Sequence, residues 1–96
     1  MAVAYRTHVS IIADVLTTVK EFSFEGYENG ASVTHLIRKA NVPHQRLSTI
    51  VTQLKQSGLV QEGPSRSKYK ISDRGLEFLN AYNNFKGFAE SFGLKV

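Results

Sequence analysis

Apolar residues recur on a helical period in four stretches of this chain and alternate with polar ones in a fifth. Ile11, Ile12, Val15, Leu16 and Val19 form the first stripe. That spacing predicts an amphipathic helix, α1, over about residues 7–22, with Thr7 placed as its N-cap. The segment that follows, SFEGYENGA, is rich in glycine and acid and reads as a loop, ending in a short strand, β1, around Ala31. Val33, Leu36, Ile37 and Ala40 mark the inner face of a second helix, α2, over residues 33–40, with Ser32 as its cap. Leu47, Ile50, Val51 and Leu54 mark that of a third, α3, over about residues 43–57.

The junctions are as informative as the stripes. Asn41, Val42 and Pro43 separate α2 from α3. Asparagine tolerates the left-handed backbone that helix ends often need, and Pro43 is expected at the first position of α3, where its fixed φ fits. Gly58 is expected at C′ of α3, which puts Leu54 and Leu59 in the positions that touch in a Schellman stop. Two strands follow, β2 over residues 59–62 and β3 over residues 68–71, with residues 63–67 as the tip. Alternation in β3 turns Tyr69 and Ile71 inward and Lys68 and Lys70 outward. Ser72 caps a last helix, α4, over residues 73–91, and Asp73 suits its positive end.

A short turn between α2 and α3 is the helix-turn-helix spacing, and a hairpin directly after α3 is a wing. The expected fold class is therefore mainly α with a small β-hairpin (α+β), a winged helix-turn-helix in the order α1-(β1)-α2-α3-β2-β3-α4. Residues 1–96 make one domain, with the helix-turn-helix at 32–57, the wing at 59–71, and a C-terminal helix at 73–92 suited to dimerisation.

Composition narrows the function. At 42% hydrophobic residues the chain is globular, and the lack of cysteine removes disulfides and thiolate metal sites. No leader peptide or membrane span is evident, so a cytoplasmic, nucleoid-associated location is expected. The net charge of +4 is unevenly spread. Residues 1–31 carry −2 and residues 72–96 are neutral, while residues 32–71 carry +6, with Glu62 as their one acid. A basic helix-turn-helix and wing form the footprint of a phosphate-binding surface.

On α3, Gln45, Thr49, Thr52 and Gln56 lie opposite the apolar stripe at 100° per residue, flanked by His44, Arg46, Ser48 and Gln53. In a major groove, glutamine pairs with adenine and threonine touches the thymine methyl, so Gln45, Ser48 and Thr49 are the expected base readers. Arg46 suits either a guanine or a phosphate. In the wing, Ser65, Arg66 and Ser67 form the tip, with Arg66 positioned for a narrow minor groove and Lys68 and Lys70 for phosphates. Arg38, Lys39, Ser32 and Thr34 are weaker phosphate candidates. The expected partner is double-stranded DNA. The rival use of such a fold is protein or RNA contact, but protein-binding versions show apolar or acidic residues on the outer face of α3, and this face has neither.

In α4, Phe78, Tyr82, Phe85, Ala89 and Phe92 repeat at spacings of 4, 3, 4 and 3, a heptad seam that Leu79 and Phe88 widen. The outer aromatics would be bare in a lone domain, which predicts a homodimer through this helix. The alternative is that α4 bends at Gly87 and folds back over α1. No phosphate loop, paired carboxylate or metal spacing of His8, His35 and His44 is present, so no enzyme, metal, cofactor or small-molecule ligand is expected.

Four motifs carry a family resemblance: Ile11-Ile12-Ala13-Asp14-Val15-Leu16; Ser32 to Leu36; Val51-x-x-Leu54-x-x-x-Gly58-Leu59-Val60; and Tyr69-Lys70-Ile71-Ser72-Asp73-Arg74-Gly75-Leu76-Glu77-Phe78-Leu79. Together, across residues 7–85, they resemble the small archaeal winged helix-turn-helix DNA-binding proteins. The resemblance implies a DNA-binding regulator or chromatin-associated protein. Two departures stand out. The acidic loop over residues 23–30 is longer than usual, and α4 is shorter than the coiled-coil helix by which some relatives dimerise.

Overall fold

The computed structural model describes residues 7–24, 30–63 and 68–94. Its elements are α1 (His8–Phe24), β1 (Ala31–Ser32), α2 (Val33–Ala40), α3 (His44–Gln56), β2 (Val60–Glu62), β3 (Lys68–Ile71) and α4 (Asp73–Ser91). The order is the expected one. The hairpin is widened by β1 into a three-stranded antiparallel sheet, β1-β3-β2, so β3 is its central strand.

Helix α1 is the hub, packed against β3, α2 and α4 and burying Ile11, Ile12, Ala13, Val15, Leu16, Val19 and Phe22. Thr7 caps it as expected: the Ser10 amide donates to Thr7 Oγ1 at 3.0 Å, and the Ser10 hydroxyl donates to the Thr7 carbonyl at 2.9 Å. The helix ends at Phe24 rather than Phe22 because Ser23 is needed inside it. Its hydroxyl donates to the Val19 carbonyl at 2.7 Å and accepts the Ile71 amide at 3.1 Å. The backbone of Lys68 and Ser72 bonds toward β2, so the Ile71 amide points to the opposite edge, beyond the last β1 pair, Ala31 with Tyr69. Ser23 completes a ladder that β1 is too short to supply.

Ser32 and His35 form a reciprocal capping box at the start of α2: the His35 amide donates to Ser32 Oγ at 3.2 Å, and the Ser32 amide donates to His35 Nδ1 at 3.3 Å. The imidazole also stacks on Phe22, with ring centroids 4.2 Å apart. Asn41 takes the left-handed conformation, at φ 56, and Val42 is buried beneath the turn. Pro43 differs from expectation. With ψ at 148 it is the N-cap rather than the first helical residue, and its carbonyl accepts the Leu47 amide at 2.9 Å.

The end of α3 is a Schellman stop: Leu59 N donates to Leu54 O at 2.9 Å and Gly58 N to Lys55 O at 3.1 Å, with Gly58 at φ +76. That use of the Leu59 amide delays β2 to Val60. At the start of α4, Ser72 Oγ accepts the Gly75 amide at 3.0 Å and donates to the Gly58 carbonyl at 2.6 Å.

Candidate nucleic-acid interface

The core stripe of α3 is buried, and every other residue of the helix is exposed, including His44, Gln45, Arg46, Ser48, Thr49, Thr52 and Gln53. Two hydroxyls of this face are tied to their own helix. Thr49 Oγ1 donates to the Gln45 carbonyl at 3.4 Å and Thr52 Oγ1 to the Ser48 carbonyl at 2.9 Å. With their protons turned inward, both threonines show a methyl group and acceptor lone pairs to a ligand. Those suit a thymine methyl or an exocyclic amine; the glutamines supply donors beside them. A shallow groove runs along Ser48, Thr49, Thr52, Gln53 and Gln56. Because Pro43 provides no side-chain cap, the first amides of α3 lack a side-chain acceptor, and the helix dipole makes that end favourable for an anion.

In the sheet, Lys68 and Lys70 alternate with Tyr69 and Ile71 as expected, but on the central strand, where they are half-buried rather than fully projecting. Ser65, Arg66 and Ser67 lie outside the described residues. Three residues that the sequence reading did not place at the interface gather between α3 and the sheet. Lys55 Nζ is 3.2 Å from Glu62 Oε1 and 6.0 Å from the centre of the Tyr69 ring. Lys55 and Tyr69 line a cleft of about 150 Å³ together with Ser48, Thr52 and the aliphatic Val33, Leu47 and Val51. The signal for this was the one acid in a basic stretch, but its partner depends on how β2 crosses α3.

The seam of α4 divides in two. Phe78 and Tyr82, stacked with centroids 6.5 Å apart, are half-buried against the core, and Leu79 is buried. Farther along, Phe85, Phe88 and Phe92 are 56%, 65% and 68% exposed, followed by Leu94 at 60%, while Ala89 between them is buried. Phe88 and Phe92 meet edge to face at 5.1 Å. The helix runs unbroken through Gly87, without a bend there, and packs against α1. Among the described residues, no helix is long and apolar enough to cross a membrane, and no three His, Asp or Glu side chains cluster to hold a metal ion.

The architecture is similar to the crystal structure of Sso10a-2, a DNA-binding protein from Sulfolobus solfataricus, with a TM-score of 0.73. The match covers 91% of this chain and 85% of that one at 18% sequence identity, a likeness of fold alone. No curated protein sequence matches the chain. The winged helix-turn-helix family matches it over residues 5–90, and the chain belongs to that family.

Proposed function

We propose that this protein binds double-stranded DNA as a transcriptional regulator or small chromatin-associated protein. In this reading α3 lies in the major groove and the wing rests on the adjacent backbone or minor groove. The observation that carries it is the outer face of α3: every side chain off the core stripe is exposed, polar or basic, and none is acidic. The +6 charge of residues 32–71 and the likeness to a DNA-binding protein support it. Gln45, Ser48 and Thr49 are assigned to bases, and Lys68, Lys70 and Arg66 to the backbone or minor groove.

The test is a salt titration of binding to a mixed-sequence duplex. Log K should fall linearly with log salt, by about 0.9 for each phosphate neutralised, and Lys68→Ala should flatten the slope by about that amount. Salt-insensitive or absent duplex binding would favour a protein-contact role for α3.

We further propose a homodimer through the outer half of α4. The exposed parts of Phe85, Phe88, Phe92 and Leu94 amount to roughly 500 Å² per protomer at about 200 Å² per large side chain. Two copies would bury roughly 1,000 Å² from these residues alone, most of the area of a specific interface. Sedimentation equilibrium should show a dimer that Phe85→Ala/Phe92→Ala converts to monomer. A wild-type monomer at tens of micromolar would end this part of the proposal.

A further inference from the structure

We propose that the cleft between the end of α3 and the sheet is a seat for one DNA backbone phosphate, held by Lys55, and that Glu62 occupies Lys55 in the phosphate's place when DNA is absent. The inference rests on the duplex-binding reading above.

The major and minor grooves of the duplex are separated by a single sugar-phosphate ridge. If α3 enters the major groove and the wing covers the neighbouring minor groove, that ridge must pass between α3 and the sheet. The cleft lies there, with Ser48, Thr52 and Lys55 on one wall and Tyr69 on the other; Val33, Leu47 and Val51 line it as well, so its polar groups are these four. Thr52 donates its hydroxyl inward and Ser48 is assigned to a base, so the donors for a phosphate are the Tyr69 hydroxyl and the Lys55 ammonium.

The ammonium, however, already has an anion, Glu62 Oε1 at 3.2 Å. Glu62 is the only acid among residues 32–71, against seven lysines and arginines. Both side chains are well exposed, at 41% and 45%, so water and salt screen the pair. An exposed pair of this kind holds its lysine by no more than about a fivefold preference. Exchange of carboxylate for phosphate is therefore easy, but it cancels much of the gain from one phosphate contact. Glu62 thus lowers backbone affinity for every sequence equally and leaves the base-reading face of α3 untouched. Specific and non-specific binding weaken together, so their ratio is unchanged while the protein is released more readily from DNA of any sequence.

The experiment is anisotropy of a labelled mixed-sequence duplex across about 50–300 mM salt, with wild type, Glu62→Gln, Lys55→Gln, the double variant and Lys55→Arg, each checked for native melting. Glu62→Gln should bind about fivefold tighter at low salt, with a slope steeper by up to about 0.9. In the Lys55→Gln background the same change should alter binding less than twofold, while Lys55→Arg should keep the wild-type slope. Glu62→Gln binding no tighter than a salt-sensitive wild type would overturn the seat and leave duplex binding standing. An equal gain with and without Lys55 would also overturn it, since Glu62 would then act by general repulsion. A wild type that shows no salt-dependent duplex binding would remove the duplex reading itself, and the seat with it.

Discussion

Gly75→Ala and Gly87→Ala place the same methyl group in the same helix, and the structure assigns them opposite effects. A Cβ at Gly75 would lie 2.3 Å from the Leu59 carbonyl oxygen and 2.6 Å from Ile71 Cγ1, whereas one at Gly87 meets nothing within 4 Å. Ordinary contact begins near 3.4 Å, so the start of α4 would have to retreat by about 1 Å. Neither neighbour can yield cheaply. The Leu59 carbonyl accepts the Ser72 amide at 3.1 Å, and Ile71 is buried in the core. Overpacking of this kind costs roughly 1–3 kcal/mol, while the helix-propensity gain of alanine over glycine is at most about 1 kcal/mol and smaller in a first turn.

Gly75→Ala should therefore lose about 1–2 kcal/mol, a fall in Tm of roughly 5–15 °C for a domain of this size. Gly87→Ala should gain roughly 0.5–1 kcal/mol and melt a few degrees higher. Circular dichroism melts and urea titrations at one fixed protein concentration measure both, since any self-association makes Tm concentration-dependent. If Gly75→Ala is as stable as wild type, the close approach of α4 to the sheet is not as described, and the reasoning fails.

Ser23→Ala leaves the Ile71 amide without its acceptor, and should cost about 1–3 kcal/mol with faster hydrogen exchange at that amide. Ser72→Ala removes both the cap on Gly75 and the donor to Gly58, and a loss of about 1–2 kcal/mol in urea titration is expected. Gly58→Ala has open space for its methyl but must hold φ near +76, so it should lose about 1 kcal/mol through backbone strain alone. Gln45→Ala should weaken a selected site by about 1–3 kcal/mol while leaving the salt slope of a mixed duplex unchanged.

Local pattern carried the helices, the caps at Thr7, Ser32 and Ser72, and the Schellman stop at Gly58, because each depends on residues within about five positions of one another. What escaped it depends on distant partners. The length of α1 is set by a hydrogen bond that Ser23 accepts from the Ile71 amide of β3, and burial of Val42 and Ala31 by the packing of the turn and β1. A second Schellman stop ends α4: Gly93 N donates to Glu90 O at 2.9 Å and Leu94 N to Ala89 O at 3.0 Å. Its glycine stands beyond a run of aromatics that reads first as a seam. At the interface, the polarity of the α3 face followed from the helical period. The Lys55–Glu62 pair did not, since it needs the crossing of β2 over the end of α3.

The hydrogen bonds at Ser72 also bear on how two protomers would read one duplex. The Gly58 carbonyl, at the exit of α3, and the Gly75 amide, in the first turn of α4, meet on the same Ser72 hydroxyl. Helix α3 and helix α4 are thus tied together at their junction, while the exposed aromatics lie toward the far end of α4, which is about 28 Å long at 1.5 Å per residue. In the proposed dimer the two α3 helices therefore sit at a fixed separation, and both can engage only a duplex long enough to present two groove segments a helical turn apart. Binding to a duplex of about 24 base pairs should then exceed binding to one of about 10 by 10²-fold or more, because the second α3 binds intramolecularly. Overlapping registers on the longer duplex account for only about a tenfold gain, and Phe85→Ala/Phe92→Ala should show no more than that. Equal length dependence in wild type and the double variant would mean that the two reading helices are not coupled through α4.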